Sequence, residues 1–280
     1  MCRVFGLLLS LAFLAIATHS ADAAGESRIV SVRTLTLTHT GTLSADDQNF
    51  VIREIKNHKY ASTDLAEIGD RIRYAMQVRG YFKVLADDPV LRVVSQDRHS
   101  EIVDIRVAVQ AGQRYRLGTI SFNKPSVFPP AELRGQFPIA DGDILNREKI
   151  GNGLENLRVL YGNKGYVNFS AVPATTIDEA TRTVSLLIDL DAGNAFHLGK
   201  LTVLGEESVP GARDKLLDTW KHYAGRIYDP ILLTSFLRDL DARRSVRPEE
   251  VFEICQDTQA RTINVQIRLV KPYTMSFPNK

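Results

Sequence analysis

The side chains best suited to chemistry in this 280-residue chain are six histidines, two cysteines and a few closely spaced carboxylates. His39, His58, His99, His197 and His222 are scattered through different predicted elements without ligand spacing, so packing or surface roles account for them better than a metal centre. Asp141-Gly142-Asp143 could open a calcium loop, but the ligand pattern that should follow is missing, and a turn explains it. Asp189-Leu190-Asp191 closes a predicted strand and reads as solvated carboxylates. Cys2 and His19 fall in a predicted leader, which leaves Cys255 unable to form an internal disulfide. Beside Phe252 and Ile254 it reads as a small buried hydrophobe. No Gly-rich phosphate loop, Gly-x-Ser-x-Gly elbow or paired-cysteine motif occurs. The expectation is therefore a protein that is not an enzyme and that needs no cofactor or metal.

Charge narrows the partners. Lysine and arginine number 35 against 33 aspartates and glutamates, a net charge of +2, whereas a nucleic-acid binder wants a strongly basic face. Arg71, Arg73 and Arg79 stand beside Asp64, Glu67 and Asp70, as on a solvated helix, and no polybasic cluster suits an anionic membrane surface. Trp220, with Leu216 and Leu217 on an amphipathic helix, reads as core.

The elements that would carry any binding surface come in repeats. Ala111-Gly112-Gln113-Arg114-Tyr115-Arg116-Leu117-Gly118 returns as Ala192-Gly193-Asn194-Ala195-Phe196-His197-Leu198-Gly199, about 80 residues later, which marks repeated domains. An alternating strand precedes each copy: Val103, Ile105, Val107 and Val109, then Val184, Leu186, Ile188 and Leu190. Ile263, Val265, Ile267 and Leu269 make a third such strand. Before the second strand the pattern predicts strand Tyr115 to Phe122, a short helix from Pro129-Pro130, a long helix through Ile150, Leu154, Leu157 and Tyr161, and a strand around Tyr166 to Val172. Before the first it predicts strand Ile29 to Leu37, a helix capped by Ser44, and a helix from Ser62-Thr63-Asp64 with Leu65, Ile68, Ile72 and Ala75 inward. The third has strand Leu198 to Leu204, helix Ala212 to Tyr223, and a helix through Leu233, Phe236, Leu237 and Leu240. Gly80-Tyr81 and Gly165-Tyr166 end the second helix of the first two units, whereas Ser245-Val246-Arg247-Pro248 stands there in the third. Gly112 and Gly193 lead into the next strand at matching positions, so small, mobile joints are expected.

Ahead of the first unit, Met1-Cys2-Arg3, the apolar run Val4 to Ala17 and Ala21-Asp22-Ala23 have the layout of a secretory signal peptide, residues 1–23. The apolar run is short for a bilayer span, so the mature chain is expected to have no transmembrane segment and to reside in the periplasm, in contact with the outer membrane or free of it.

Strand-helix-helix-strand-strand units behind a signal peptide, with the Ala-Gly-x-x-aromatic-x-Leu-Gly linker and Gly-Tyr after the second helix, resemble tandem POTRA (polypeptide-transport-associated) domains of the outer-membrane β-barrel assembly family, the BamA- and TamA-like proteins. The resemblance implies an α+β chain of three POTRA-like domains, at 27–110, 111–191 and 192–271, the last divergent, followed by a tail, 272–280. Each would hold a small mixed sheet with two helices on one face. Relatives continue into a membrane barrel, for which Pro272 to Lys280 leaves no room, since eight strands need roughly 80 residues. The implied role is a periplasmic binding arm or scaffold for outer-membrane protein assembly, taking unfolded outer-membrane polypeptides, or a separate β-barrel or accessory protein, and no nucleic acid. In the family's fold the strand after the Gly-aromatic pair lies at the sheet edge, where peptides add as strands. Carried onto this chain, those strands are Phe82, Lys83, Val84, Leu85 and Ala86, and Tyr166, Val167, Asn168, Phe169, Ser170, Ala171 and Val172. Two alternatives stay open: the arm of a split or truncated relative with a structural role only, and a secreted small-ligand binder or enzyme on the same framework.

Overall fold

Alternating apolar residues bury one face of a strand, and the three strands with the strongest alternation become the centres of three sheets. The computed structural model describes residues 3–4, 28–41, 43–64, 67–123, 126–205, 211–242 and 252–269. The expected leader apart from Arg3 and Val4, Leu65, the segment Ser245-Val246-Arg247-Pro248 and the tail 272–280 lie outside the described residues, as do the side chains of Leu237 and Leu240. Contacts divide the chain into two compact units. One holds the described residues from 28 to 155 with Val172–Asp189; the other holds Arg3–Val4, Asn156–Ala171 and the described residues from Leu190 onward.

After a two-residue strand β1 (Arg3–Val4), the first sheet is built from β2 (Ile29–Thr38), β3 (Lys59–Ala61), β4 (Leu85–Ala86), β5 (Val90–Gln96) and β6 (Ser100–Gln110). Central β6 runs parallel to β2 and antiparallel to β5 and β4. Parallel pairing needs a crossover, supplied by α1 (Ala45–Lys56) and α2 (Glu67–Val78). Val51 and Ile55 of α1 and Ile68, Ile72 and Met76 of α2 are fully buried in one cluster with Val103 and Val109. The second sheet orders β7 (Arg116–Asn123), β9 (Thr183–Asp191) and β8 (Ser170–Asp178), with α3 (Pro130–Gly135) and α4 (Arg147–Gly162) in the crossover. In the third, β12 (Thr262–Arg268) lies between β10 (His197–Leu204), parallel, and β11 (Phe252–Asp257), antiparallel. Its core gathers Leu198, Val265, Trp220 and Phe236 beneath α5 (Ala212–Trp220) and α6 (Pro230–Ala242). Trp220 donates its indole N–H to the Gly199 carbonyl at 3.0 Å and meets Phe236 edge-on, the core role expected for it.

The repeated linker phrase has a structural meaning at its aromatic residue and at its Leu-Gly pair. The N–H of Tyr115 donates to the Gly80 carbonyl, and that of Phe196 to the Gly165 carbonyl, both at 2.9 Å. Gly80 and Gly165 are left-handed, with φ of 92° and 84°, a region that L side chains disfavour. A Cβ at Gly165 would lie 2.7 Å from the Phe196 carbonyl oxygen. Further along, the Leu-Gly pair sits at a bulge, between Leu117 and Ile120 and again between Leu198 and Leu201. There a side chain from the central strand satisfies the loosened backbone: Ser185 Oγ accepts from Thr119 N at 3.1 Å, and Asn264 Oδ1 from Lys200 N at 2.7 Å. β2 bulges at the same place, between Val32 and Thr34, with Arg33 in the glycine position and ion-paired to Asp104.

One buried carboxylate ties these parts together. Ser44 caps α1, its hydroxyl accepting from Asp47 N at 3.1 Å, and Asp47 itself is 1% exposed. Asp47 accepts from Arg79 Nε at 2.5 Å and Tyr81 Oη at 2.9 Å, and Arg114 Nη2 stands 3.8 Å away. Arg114 also donates from Nε to the Arg79 carbonyl at 2.8 Å. Arg79 is thus no surface charge of a solvated helix. Where a loose joint was expected after Gly112, the linker is pinned through Arg114 and Tyr115 to the end of α2. Burial pushes the Asp47 carboxyl up, but Arg79, Tyr81, Ser44 and the Arg114 charge together outweigh it and hold the group below its usual range.

Two predictions follow from these contacts. Gly165→Ala should cost at least about 1–2 kcal/mol from the left-handed backbone alone, while Gly151→Ala, inside α4 with open space around it, should gain up to about 1 kcal/mol; denaturant unfolding of both variants checks the opposite signs. Asp47→Asn should cost about 1–3 kcal/mol, because Arg79 and Arg114 are partly exposed and can rehydrate. A carboxyl with a depressed folded pKa contributes stability above the ordinary value of about 4 and loses it as pH falls through the folded pKa. The parent should therefore lose stability on acidification below about pH 4 more steeply than Asp47→Asn, as read by thermal unfolding against pH.

Candidate functional site

The groups that the sequence pattern puts forward for binding are the backbone donors and acceptors of the outer strands. The structure starts both expected edge strands later than the sequence pattern does. Tyr166, Val167, Asn168 and Phe169 form the turn that closes α4, where Tyr166 N donates to the Tyr161 carbonyl, Val167 N to Gly165 and Phe169 N to Tyr166. Their aromatics cover the helix end, Phe169 stacked on Tyr161 with ring centres 3.9 Å apart. Only Ser170, Ala171 and Val172 belong to a strand, the first three residues of β8, with Val172 63% exposed. Phe82, Lys83 and Val84 likewise form a turn, in which Phe82 N donates to the Gly80 carbonyl and Val84 N to Tyr81. Leu85 and Ala86 make the two-residue β4, already paired with Gln110 and Val109. The physical reason is the same in both places. A left-handed glycine reverses the chain, and a further turn is consumed before it can rejoin the sheet.

On this side of the central strands lie β5, β8 and β11; β5 and β8 are outermost in their sheets, whereas β1 pairs on the outer side of β11. β5 is mostly exposed, with Val90 at 69%, and one residue, Val94, is bulged out between the pairs Val93↔Val103 and Ser95↔Ile102. β8 contains Pro173. β11 pairs residue for residue with β12, from Phe252↔Ile267 to Asp257↔Thr262. The sequence pattern missed β5 as the outer strand of the first sheet, although Val90-Leu91-Arg92-Val93 after Asp87-Asp88-Pro89 carried a strand signal.

Two side-chain features flank these strands. Glu179, in the turn between β8 and β9, accepts from Tyr115 Oη at 2.7 Å and forms an ion pair with Lys83, which gives Lys83 a role in joining the turn after Gly80 to that hairpin. The Lys83 ammonium and the Tyr115 hydroxyl hold the Glu179 carboxyl low, and Glu179 in turn raises both partners. A groove of about 920 Å³ beside β7 is lined by Ile120, Phe122, Val127, Phe128, Leu133 and Arg134. Arg134 is engaged with the Ile139 carbonyl and with Asp141. Asp141-Gly142-Asp143 is a turn, Gly142 N donating to the Leu117 carbonyl at 2.7 Å. Among the described residues no group of three or more His, Cys, Asp or Glu side chains could hold a metal ion. Nor is any described helix long and apolar enough to cross a membrane, which says nothing of barrel strands.

Comparison with known proteins agrees with this architecture. Residues 115–193 match the POTRA family, described as surface antigen variable number repeat. Over 154 residues the chain is 25% identical to the outer membrane protein assembly factor BamA of Neisseria meningitidis serogroup B, a match that covers 50% of this chain and 19% of the relative. The chain thus spans about a fifth of that relative's length. The crystal structure of POTRA3-5 of Haemophilus influenzae BamA superposes with a TM-score of 0.61 at 16% identity, over 89% of this chain and 99% of that one, and so shares the fold. Residues 115–193 thus match the POTRA family, and the chain shares the fold of tandem POTRA domains.

Proposed function

We propose that this chain is a periplasmic arm for outer-membrane protein assembly, built of three POTRA-like domains, that holds unfolded polypeptides by strand addition and docks to a separate barrel or accessory protein. The observation that carries the reading is the pair of outer strands β5 and β8, each ending its sheet on one side in a chain with a POTRA match. An outer strand has backbone N–H and C=O groups with no neighbour to pair with, so it recognises extended chain without demanding a particular sequence. Binding of this kind is weak and reversible, as a holding step requires. In this reading Ser170, Ala171 and Val172 contribute as strand, while Tyr166 to Phe169 and Phe82 to Val84 hold the strand in position from the turn. The turns after Gly80 and Gly165 and the buried Asp47 network keep the sheets in shape while the edges stay available.

Export is part of the same proposal, resting on the basic start, the apolar run and Ala21-x-Ala23. Expressed in a Gram-negative cell, the chain should fractionate with the periplasm or outer membrane and begin near Ala24 on N-terminal sequencing. The chain recovered there should retain urea-unfolded outer-membrane polypeptides on a pull-down column and release them when they are prefolded in detergent. Retention of neither form, or an intact Met1 terminus in the inner membrane, overturns the reading.

A further inference from the structure

We propose that a cavity between the linker and the β8–β9 turn is a binding site for a phosphoryl group, held by Arg116, Arg182 and Arg114. The cavity, of about 260 Å³, is lined by Arg114, Tyr115, Arg116, Ile144, Thr181 and Arg182. Pockets that enclose a whole small molecule run to roughly 300–1,000 Å³, so this one suits a single compact group. Its lining holds three guanidinium groups and no carboxylate. Elsewhere in the same unit Arg28, Arg33, Arg71, Arg73, Arg79 and Arg134 are each ion-paired to a carboxylate. Arg116 Nη1 donates to the neutral Gly142 carbonyl at 2.7 Å, and among the described residues neither Arg116 nor Arg182 has a carboxylate partner. Arg114 and Arg79 share the single charge of Asp47, which leaves one positive charge unbalanced there. Of the carboxylates closest along the chain to the lining residues, Glu179 is taken by Lys83 and Tyr115, and Asp143 accepts from Ala140 N at 3.0 Å. A phosphate monoester brings about −1.5 to −2 of charge at pH 7, where a carboxylate brings one charge, and the guanidinium fork matches its oxygens in pairs.

Backbone bonds fix the walls of this cavity. Arg116 N donates to the Arg182 carbonyl at 2.9 Å, Ile144 is bridged to Arg116, and Leu145 N donates to the Tyr115 carbonyl at 3.0 Å. Arg182 is left-handed, with φ of 54°, and closes a turn in which Asp178 Oδ1 accepts from Ala180 N at 2.9 Å and Thr181 N at 3.1 Å. Arg114 is oriented by its bond to the Arg79 carbonyl and by the Tyr81 ring, 5.8 Å from its guanidinium carbon. Walls set before a ligand arrives lose little freedom on binding. The third unit keeps this backbone, with His197 N donating to the Arg261 carbonyl and Ile227 bridged to His197, but has Ala195 and His197 in place of Arg114 and Arg116. The charge therefore belongs to this one cavity and not to the linker phrase.

Binding is read on the purified full chain by calorimetry at constant ionic strength, with inorganic phosphate and glycerol 3-phosphate as soluble probes and acetate as the monoanion. Sedimentation with phosphatidylcholine vesicles, with and without phosphatidic acid, tests a headgroup. Arg116→Gln combined with Arg182→Gln should weaken phosphoryl binding about tenfold or more. Arg106→Gln, at an exposed arginine of β6, should leave it unchanged, with circular dichroism checking each fold. In the parent, phosphate should shift the amide resonances of Ile144 and Arg182 and leave those of Val90 and Val172 in place; should the double variant fail to fold, these shifts decide alone. Sedimentation with phosphatidic acid that the double variant loses identifies a lipid headgroup as the source, and saturable soluble binding without sedimentation identifies free phosphate or its esters. Binding of neither kind, equal binding by the folded double variant, acetate bound as tightly as phosphate, or amide shifts confined to other residues overturns the site.

Discussion

One backbone hydrogen bond, made twice, sets the geometry on which the other features depend. In each case the N–H of the linker aromatic, Tyr115 or Phe196, reaches the carbonyl of the left-handed glycine that ended the preceding helix, Gly80 or Gly165. The bond needs glycine because the approach leaves no space for a Cβ beside the linker backbone. It also starts the next first strand at a defined place, since Arg116 and His197 follow directly as the opening residues of β7 and β10. Burial of each aromatic, worth about 1.5–3 kcal/mol, stabilises a contact whose polar part alone is worth about 1 kcal/mol.

That geometry has a cost at the sheet margin, because the chain leaving the glycine spends several residues in a turn before it can form strand. The outer strands are therefore displaced along the chain, to Val90–Gln96 and Ser170–Asp178, and their backbone lies at the border of each sheet. Proteins protect such borders, and here the means differ from sheet to sheet: a bulge in β5, a proline in β8, and in the third sheet the pairing of β1 on β11.

Charge plays its part inside the first unit. The linker arginine Arg114 and the helix-end arginine Arg79 converge on Asp47, a carboxylate whose local sequence role is only to sit in the first turn of α1 behind its Ser44 cap. Lys83 and Tyr115 meet at Glu179 in the same way across a long stretch of sequence. These pairs hold the linker against the end of α2, so the repeat phrase is joined there by side chains as well as by backbone.

The chain's periodicity by itself determined the elements and the core: Val103 to Val109, Val184 to Leu190 and Ile263 to Leu269 are buried where alternation put them, and Ile68, Ile72 and Ala75 where a helical face did. It determined the Ser44 cap, the Pro130 helix start and the turn at Asp141-Gly142-Asp143, because each depends on residues a few positions apart. Tertiary structure alone decided that Tyr166 to Phe169 is turn rather than edge, that β5 is the outer strand of the first sheet, and that Asp47 gathers Arg79 and Arg114. Alternation and capping are local, set by neighbours along the chain. Whether a strand is outermost, or a charge is paired, depends on what folding brings beside it from far along the sequence, and a single sequence carries no local mark of that.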